Sequence, residues 1–296
     1  MKIFHYSLGF PPYRTGGLTK FCIDLIKTQA EMGHEAALLW SGRMKVFDKN
    51  ISVKEGIENG IKSFEIINPL PVSLNGGICD ARMYMNNGGE EFYLDFFKNH
   101  SPDVVHIHSL MGMHAGLVIA ANKLNIRTVF TTHDFFPICS KVTMYRNGYV
   151  CDSVENCRFC RDCNSQGLSL SKIMIMQSTI YRKLKDSKLV KQIRAQKRMD
   201  ILKDCEVNRS NDGKEFLALR QFYLNILERI DCVHFNSTVS REVYGRFISA
   251  VDTAVIPISH KDIKGIPKRK EFTDHIRFSY FGPQGGQRVF FNEGGA

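Results

Sequence analysis

A strand, helix and strand pattern that occurs three times constrains the fold of this chain most. Residues 2–7, "KIFHYS", form a short apolar run, apolar residues then recur at helical spacing over 18–26, and "EAALLW" follows at 35–40. This pattern predicts an amphipathic helix between two buried strands. Two strands joined by a crossover helix form a right-handed unit with parallel strands.

The same pattern returns twice further along the chain. The predicted strand, helix and strand are 103–109, 113–125 and 126–132 in the second unit, and 231–237, 239–248 and 253–259 in the third. A further strand is predicted in 60–68 and a further helix over 90–100. Apolar strands that alternate with helices indicate an α/β fold, a Rossmann-like open parallel sheet with helices on both faces. Residues 139–230 are then a Cys-rich loop and a helical insertion.

Composition is typical of a soluble globular protein, with 43% hydrophobic and 24% charged residues in a chain of 296. The start carries no signal peptide, and the nine cysteines are an odd number, so we expect reduced thiols and a cytoplasmic location. A net charge of +10 permits three partners: nucleic acid, an anionic membrane surface or phosphorylated small molecules. Much of that charge lies in 181–203, which fits either a solvated helix face or a membrane-surface helix.

A glycine pair connects the first strand to the first helix. Gly16 and Gly17 directly precede the helix, so their backbone N–H groups can approach an anion at its positive end. We therefore predict a phosphate cradle, with a plain turn as the alternative. The spacing G-x-G-x-x-G is absent and no acid follows the second strand, so a dinucleotide enzyme is disfavoured.

Histidines mark the ends of two predicted strands. His106 and His108 share one face of a strand, His114 lies at the next helix, and His133 and Asp134 close the following strand. Polar side chains at the carboxyl ends of parallel strands suit a site that handles hydroxyl groups. A role in hydrogen bonding the sheet end is an equal alternative for His106 and His114, whereas a functional role is favoured for His108 and His133.

Four stretches together resemble the amino-terminal domain of the family 4 retaining glycosyltransferases of GT-B fold, which include many bacterial enzymes of surface polysaccharide assembly. They are "GFPPYRTGGLTKFCIDLIKTQAEMGHEAALLW", "PDVVHIHSLMG", "TTHDFFPIC" and "DCVHFNSTVSREVY", in family order over residues 1–260. The resemblance implies that Gly16 and Gly17 face the donor phosphates and the acceptor. It implies a catalytic-site position for His133 beside the transferred sugar, and positions for His108 and Ser237 in the same cleft.

The resemblance also implies a reaction and its partners. A sugar passes from a nucleotide-sugar donor, such as a UDP- or GDP-sugar, to a hydroxyl of a saccharide or lipid-linked acceptor. Configuration is retained, and no essential metal or other cofactor is implied. Helix amino termini and basic side chains can stabilise the leaving diphosphate. A peripheral membrane contact at the inner face of the plasma membrane is a further hypothesis, and no nucleic-acid motif is present.

Five cysteines lie close together in the predicted insertion. They are Cys139, Cys151, Cys157, Cys160 and Cys163. Four of them could hold a structural zinc ion, and packed reduced thiols are the alternative.

The chain ends on a segment that resembles the start of another domain. Residues 261–275 are a polar basic linker, and 276–296 begin like the first strand of a donor-binding domain without its Lys-Gly pair. We therefore expect a truncated chain that is weak or inactive alone. A non-catalytic module that binds polyanions or nucleic acid is the alternative function, and it rests on charge.

Overall fold

The structure is a computed structural model of the chain. It describes residues 1–45, 47–73, 77–146, 149–151, 157–165, 167–184, 187, 213–249 and 252–259. The linker at 261–275, the segment at 276–296 and most of the basic stretch at 181–203 lie outside the described residues, so those predictions stay predictions.

One eight-stranded sheet organises the described chain. Its strands are β1 (Lys2–Ser7), β2 (Glu35–Ser41), β3 (Ser52–Glu58), β4 (Ile61–Ile67), β5 (Val104–Ile107), β6 (Arg127–Thr132), β9 (Cys232–Phe235) and β10 (Thr253–Val255). They lie across the sheet in the order β10-β9-β6-β5-β1-β2-β4-β3. Only the pairing of β3 with β4 in this sheet is antiparallel. The predicted α/β, Rossmann-like class is confirmed.

Helices cover both faces of the sheet. The described helices are α1 (Gly17–Glu31), α2 (Glu90–His100), α3 (Gly116–Lys123), α4 (Cys160–Cys163), α5 (Leu170–Gln177), α6 (Thr179–Leu184), α7 (Lys214–Leu227) and α8 (Thr238–Tyr244), with a short 3₁₀ helix at Ala81–Tyr84. A two-stranded ribbon pairs β7 (Tyr145–Arg146) with β8 (Tyr149–Val150). None of the helices that the structure describes is long and apolar enough to cross a bilayer.

The predicted units agree with the structure, and one strand of the large sheet was not revealed by the pattern. β3 forms the sheet edge and is mostly exposed, with charged residues such as Lys54 and Glu55. Charged edge strands prevent pairing with other chains, but they lack the apolar run from which strands are predicted. The long segment after β6 ends at β9, which pairs with β6.

Successive side chains along each strand point to opposite faces of the sheet, and each face packs against a different set of helices. Phe4 and Tyr6 point into the larger apolar core together with residues of α2 and α3. The opposite face carries a smaller apolar cluster, in which Cys22 and Ile26 of α1 pack against Leu38. The rest of the α1 face therefore offers room for polar side chains, and histidines occupy it.

Gly116 at the start of α3 allows that helix to approach α2 closely. A Cβ atom at this position would lie 2.5 Å from the backbone nitrogen of Glu90 and 2.6 Å from the carbonyl oxygen of Gly88. Backbone atoms cannot move aside as a flexible side chain can.

We therefore predict that Gly116→Ala lowers the free energy of unfolding by about 1–3 kcal/mol, the usual cost of overpacking. Denaturant unfolding monitored by circular dichroism measures this change. Gly56→Ala is the matched control, because a Cβ atom there meets only the Ser63 hydroxyl, at 3.9 Å. Equal stability of both variants would contradict the close-packing argument.

Candidate functional site

The candidate site lies where the chain switches direction across the sheet. From β1 the chain adds β2 on one side, and β5 lies on the other side of β1. In open α/β sheets the crevice at such a switch point, beyond the carboxyl ends of the strands, is the usual place for a ligand. His108 follows β5 and His133 follows β6, so both lie at this edge.

The Gly16–Gly17 pair leaves the amino terminus of α1 open. Gly16 is the residue before the helix, its φ is 125°, and no side chain caps the helix there. A Cβ atom at either glycine would meet nothing within 4 Å, and the first turn carries no acidic residue. Backbone N–H groups with the positive end of the helix dipole are thus available to an anion.

A row of imidazoles crosses the α1 face of four adjacent strands. His5 pairs in register with His106, and Thr131 pairs in register with His234. The ring centroids of His106 and His108 are 4.2 Å apart. His5 and His108 are fully buried, so their polar atoms need hydrogen-bond partners within the protein.

Four residues form a hydrogen-bonded series that we call the histidine chain: Gln29, His5, His108 and His133. Oε1 of Gln29 lies 2.7 Å from Nε2 of His5. Nδ1 of His5 lies 3.0 Å from Nε2 of His108, and Nδ1 of His108 lies 3.1 Å from Nε2 of His133. The series thus connects α1 with the carboxyl end of β6.

A second series runs beside the first. Nε2 of His106 lies 2.7 Å from the hydroxyl of Thr131, which lies 2.9 Å from Nδ1 of His234. Nε2 of His234 donates to the carbonyl oxygen of Ile256 at 2.8 Å. This series ends on a backbone oxygen, which can only accept, so its direction is fixed.

Burial keeps the histidines in their neutral form. It lowers the pKa of His5 to about 4, with the hydrogen bond to Gln29 acting in the opposite direction, and lowers the pKa of His133 to about 4. Burial and the neighbouring imidazoles lower the pKa of His106 and His108 well below the ordinary value. At neutral pH these rings are therefore hydrogen-bonding groups, not cations.

Phe21 connects the two predicted parts of the site. Its ring centroid lies 5.1 Å from that of His133 and 5.9 Å from that of His108. Phe21 lies one helical turn after Gly17 in α1. The structure therefore brings the glycine pair, His108 and His133 to one side of the sheet edge.

Asp134 has an environment of its own next to His133. Burial raises the pKa of Asp134 to about 6, and the backbone N–H of Phe136 donates to its Oδ1 at 2.9 Å. The Tyr244 hydroxyl donates to the Asp134 carbonyl oxygen at 2.6 Å. These contacts fix the turn that follows β6.

The remaining predicted residues have partners that account for them structurally. Ser237 begins α8, and its hydroxyl oxygen accepts from the Ser240 backbone N–H in a capping box. Nδ1 of His114 lies 3.0 Å from the Tyr93 hydroxyl in the core. The hydrogen-bonding alternative thus explains His114, while Ser237 lies at the carboxyl end of β9 with its hydroxyl engaged in the cap.

The cysteines of the insertion pair with one another in part. The thiol of Cys160 donates to Cys157 and is the main cause of the lowered pKa of Cys157, and the charge of Arg220 contributes. An Nη2 atom of Arg220 lies 4.0 Å from Sγ of Cys160. The five loop cysteines are free, whereas Cys79 is disulfide-bonded, so the expectation of reduced thiols throughout is wrong.

A group with metal-type ligands occurs elsewhere, at His5, Cys22 and His108. Their ligand atoms lie within 4.8 Å of one another, and it is the one such group in the part of the chain that the structure describes. Metal ligation needs a thiolate, but burial raises the pKa of Cys22 to about 12. The facing nitrogens of the two histidines already share a hydrogen bond, so a neutral hydrogen-bonded core explains the group better.

Comparison with known proteins addresses the family. Residues 15–153 match the family model described as Glycosyltransferase Family 4. The chain carries a Glycosyltransferase Family 4 segment. This match includes the glycine pair, His108, His133 and Asp134, and confirms the family that the motifs indicate. A search of curated proteins finds no match.

Solved structures similar to the chain include three proteins of carbohydrate chemistry. The catalytic domain of starch synthase IV from Arabidopsis thaliana, bound to ADP and acarbose, is 18% identical over 45% of this chain and 34% of that chain, with a TM-score of 0.31. Sucrose-phosphate synthase from Thermosynechococcus elongatus is 12% identical over 86% and 47%, with a TM-score of 0.38. The E. coli structure described as trehalose-6-phosphate bound with UDP-2-fluoro glucose is 11% identical over 83% and 42%, with a TM-score of 0.40. The chain spans less than half the length of each of them.

Three members of the site were not found from the sequence. They are His5, Gln29 and His234. His5 and His234 each occur in the middle of a predicted apolar strand, like His106, and a histidine in such a position is a usable signal. Gln29 lies in an amphipathic helix among other polar residues, where nothing in the pattern distinguishes it.

The buried histidines predict a steep loss of stability in acid. A histidine whose pKa is lowered in the folded state stabilises the fold above its unfolded value of 6.5 and ceases to do so as pH falls towards about 4. Each adds roughly 1.4 kcal/mol per pH unit to the slope in that window. Denaturant unfolding across this range measures the slope.

His133→Gln should reduce that slope, because one titrating group of the folded core is removed. His34→Gln, outside the row of imidazoles, is the control and should retain it. A free energy of unfolding that stays constant from pH 6.5 to about 4 would contradict the assignment of buried neutral rings.

Proposed function

We propose that the chain forms the acceptor-side part of a retaining glycosyltransferase that uses a nucleotide-sugar donor. The observation that carries the proposal is the position of the family-matched glycine pair and His133 at the sheet's switch point. The product would be a glycoside of a saccharide or lipid-linked acceptor in surface polysaccharide or glycolipid assembly. The GT-B organisation and the cytoplasmic location belong to the same proposal.

The open start of α1 supports a contact with the donor's diphosphate. Negative charge develops on the leaving diphosphate as the bond between the sugar's anomeric carbon and the diphosphate oxygen breaks. The backbone N–H groups at Gly16 and Gly17 would stabilise that charge, because no side chain of the described residues caps the helix there. We assign this role to the glycine pair and a sugar-contacting role to His133.

The polar groups beside His133 complete the proposed cleft. His108 holds the His133 ring from the buried side, through its Nδ1 atom. Asp134 turns the chain after β6, and Ser237 lies at the end of the neighbouring strand β9. We propose that these residues shape the acceptor side, with His133 the one in contact with the transferred sugar.

A contact with an anionic membrane surface is a separate part of the proposal. Ile175 of α5 is 61% exposed and Leu184 of α6 is 51% exposed, whereas Ile173 is buried. The described part of this segment thus has one packed face and exposed apolar side chains, and it leads into the basic stretch of the sequence. Apolar side chains flanked by basic residues favour an anionic interface.

Liposome co-sedimentation tests this contact. We expect the chain to bind vesicles of mixed phosphatidylcholine and phosphatidylserine at low salt, and binding to weaken with Ile175→Ser. The control is Ile57→Ser, another exposed apolar residue, in the edge strand β3. Equal binding to purely zwitterionic vesicles, or none to either, would refute the proposal.

The phosphate contact predicts a specific effect of charge at the glycine pair. Gly17→Asp places a carboxylate in the first turn of α1, where it should preserve or improve the helix through the helix dipole. The same charge should repel the diphosphate and raise the Kd for UDP-sugars by about tenfold or more. Isothermal titration calorimetry measures the affinity, and thermal unfolding measures the fold.

Gly17→Asn is the matched control, since it has nearly the same shape without the charge. It should retain most of the affinity. If the Asp variant binds as tightly as the parent chain, the phosphate does not lie at this helix terminus.

The function itself is tested by transfer assays with a panel of UDP- and GDP-sugars and saccharide acceptors. The purified chain should bind a donor or an acceptor. His133→Ala should abolish the part of this binding that depends on the sugar, whereas His34→Ala should not. Salt-sensitive retention of nucleic acid without any response to nucleotide sugars would favour the polyanion-binding alternative.

A further inference from the structure

The histidine chain has a direction, and one side chain sets it. A neutral imidazole has one N–H donor and one lone-pair acceptor, so each ring that accepts at one nitrogen must donate at the other. Three consecutive hydrogen bonds therefore share a single orientation. Gln29, at the end opposite His133, decides which orientation this is, because its Oε1 atom faces His5 and can only accept.

The contacts assign every proton in turn. Oε1 of Gln29 accepts from Nε2–H of His5, which leaves the lone pair of His5 on Nδ1. That lone pair accepts from Nε2–H of His108, whose Nδ1 then accepts from Nε2–H of His133. His133 is left with its lone pair on Nδ1. Among the described residues, no side chain or backbone group hydrogen bonds to that atom.

Both ends of the series are partly exposed, and its middle is not. His5 and His108 are fully buried, whereas Gln29 and His133 are each partly exposed. Because Nε2 of His133 faces His108, Nδ1 lies on the far side of the ring's Cε1 atom and is turned away from the buried chain. Gln29 of α1 thus determines whether Nδ1 of His133, at the carboxyl end of β6, is a hydrogen-bond donor or an acceptor.

We propose that Gln29 is a positioning residue that fixes the tautomer of His133, so that Nδ1 of His133 accepts a hydrogen bond from a ligand hydroxyl. The identity of the ligand group rests on the proposed function, whereas the tautomer does not. A lone pair accepts from O–H groups and repels the oxygens of a phosphate. The site therefore distinguishes the two halves of a nucleotide sugar: N–H donors at the glycine pair take the diphosphate and His133 takes the sugar.

An amide side chain is a special end for such a series, because it contains both a donor and an acceptor. A residue at position 29 that can only donate would reverse all three hydrogen bonds, and Nδ1 of His133 would then carry the proton. The neighbouring series from His106 to Ile256 lacks this freedom, since a carbonyl oxygen can only accept. It therefore serves as an internal reference.

Nitrogen NMR of the full chain with ¹⁵N-labelled histidine tests the proposal, since it separates protonated, pyrrole-like nitrogens from unprotonated, pyridine-like ones. The measurement is made at about pH 8, where the rings are neutral. We expect a pyridine-like Nδ1 and a pyrrole-like Nε2 for His133. Gln29→Glu, which can only accept, should keep this pattern.

Gln29→Lys, which donates, should exchange the two signals of His133 while those of His106 remain unchanged. If this variant does not fold, Gln29→Met removes the anchor without charge, and the His133 nitrogens should shift towards values averaged between the two tautomers. A pyrrole-like Nδ1 in the parent chain, or His133 signals unaffected by both Lys and Met, would overturn the proposal.

Adding UDP-glucose and GDP-mannose separates this proposal from the function on which its ligand assignment rests. A hydroxyl that donates to Nδ1 of His133 should shift that signal in the parent chain and in Gln29→Glu, but not in Gln29→Lys. Correct tautomers with no shift from any nucleotide sugar would uphold the positioning role and contradict the sugar contact. A shift that persists in Gln29→Lys would overturn the acceptor role of Nδ1.

Discussion

The need to satisfy buried imidazole nitrogens governs the centre of this molecule. His5 and His108 have no exposed surface; His5 lies in β1 and His108 directly follows β5, where the chain changes direction across the sheet. Each unpartnered nitrogen there would cost about 1–3 kcal/mol, so the rings must be arranged in hydrogen-bonded series. Two such series, one from Gln29 and one to Ile256, meet that need.

The same requirement joins the parts of the site to one another. α1 provides the open amino terminus at Gly16 and Gly17, the Phe21 ring against His133, and the Gln29 amide against His5. A single helix therefore supplies the uncapped amino terminus and also contacts both His133 and His5 of the histidine chain. Because the rings are neutral, the site is polar without being charged, which suits a ligand with hydroxyl groups beside a diphosphate.

The sequence could predict the sheet because apolar runs and helical spacing come from burial, and burial follows local pattern. β1 and α2 were both predicted in this way. β3 was not, because an exposed charged edge strand has no apolar signal. The positions of His108 and His133 at strand ends were predicted, whereas Gln29 was not, since its contact depends on how α1 is rotated over the sheet.

The histidine chain has a consequence for how this protein can vary among its relatives. Positions 5, 29, 108 and 133 are far apart in sequence, yet they share one set of protons. A replacement that cannot make the hydrogen bond of the residue it replaces leaves the neighbouring ring with an unpartnered nitrogen. We therefore expect these four positions to accept single changes only where the new side chain donates or accepts as the old one does, and otherwise to change together.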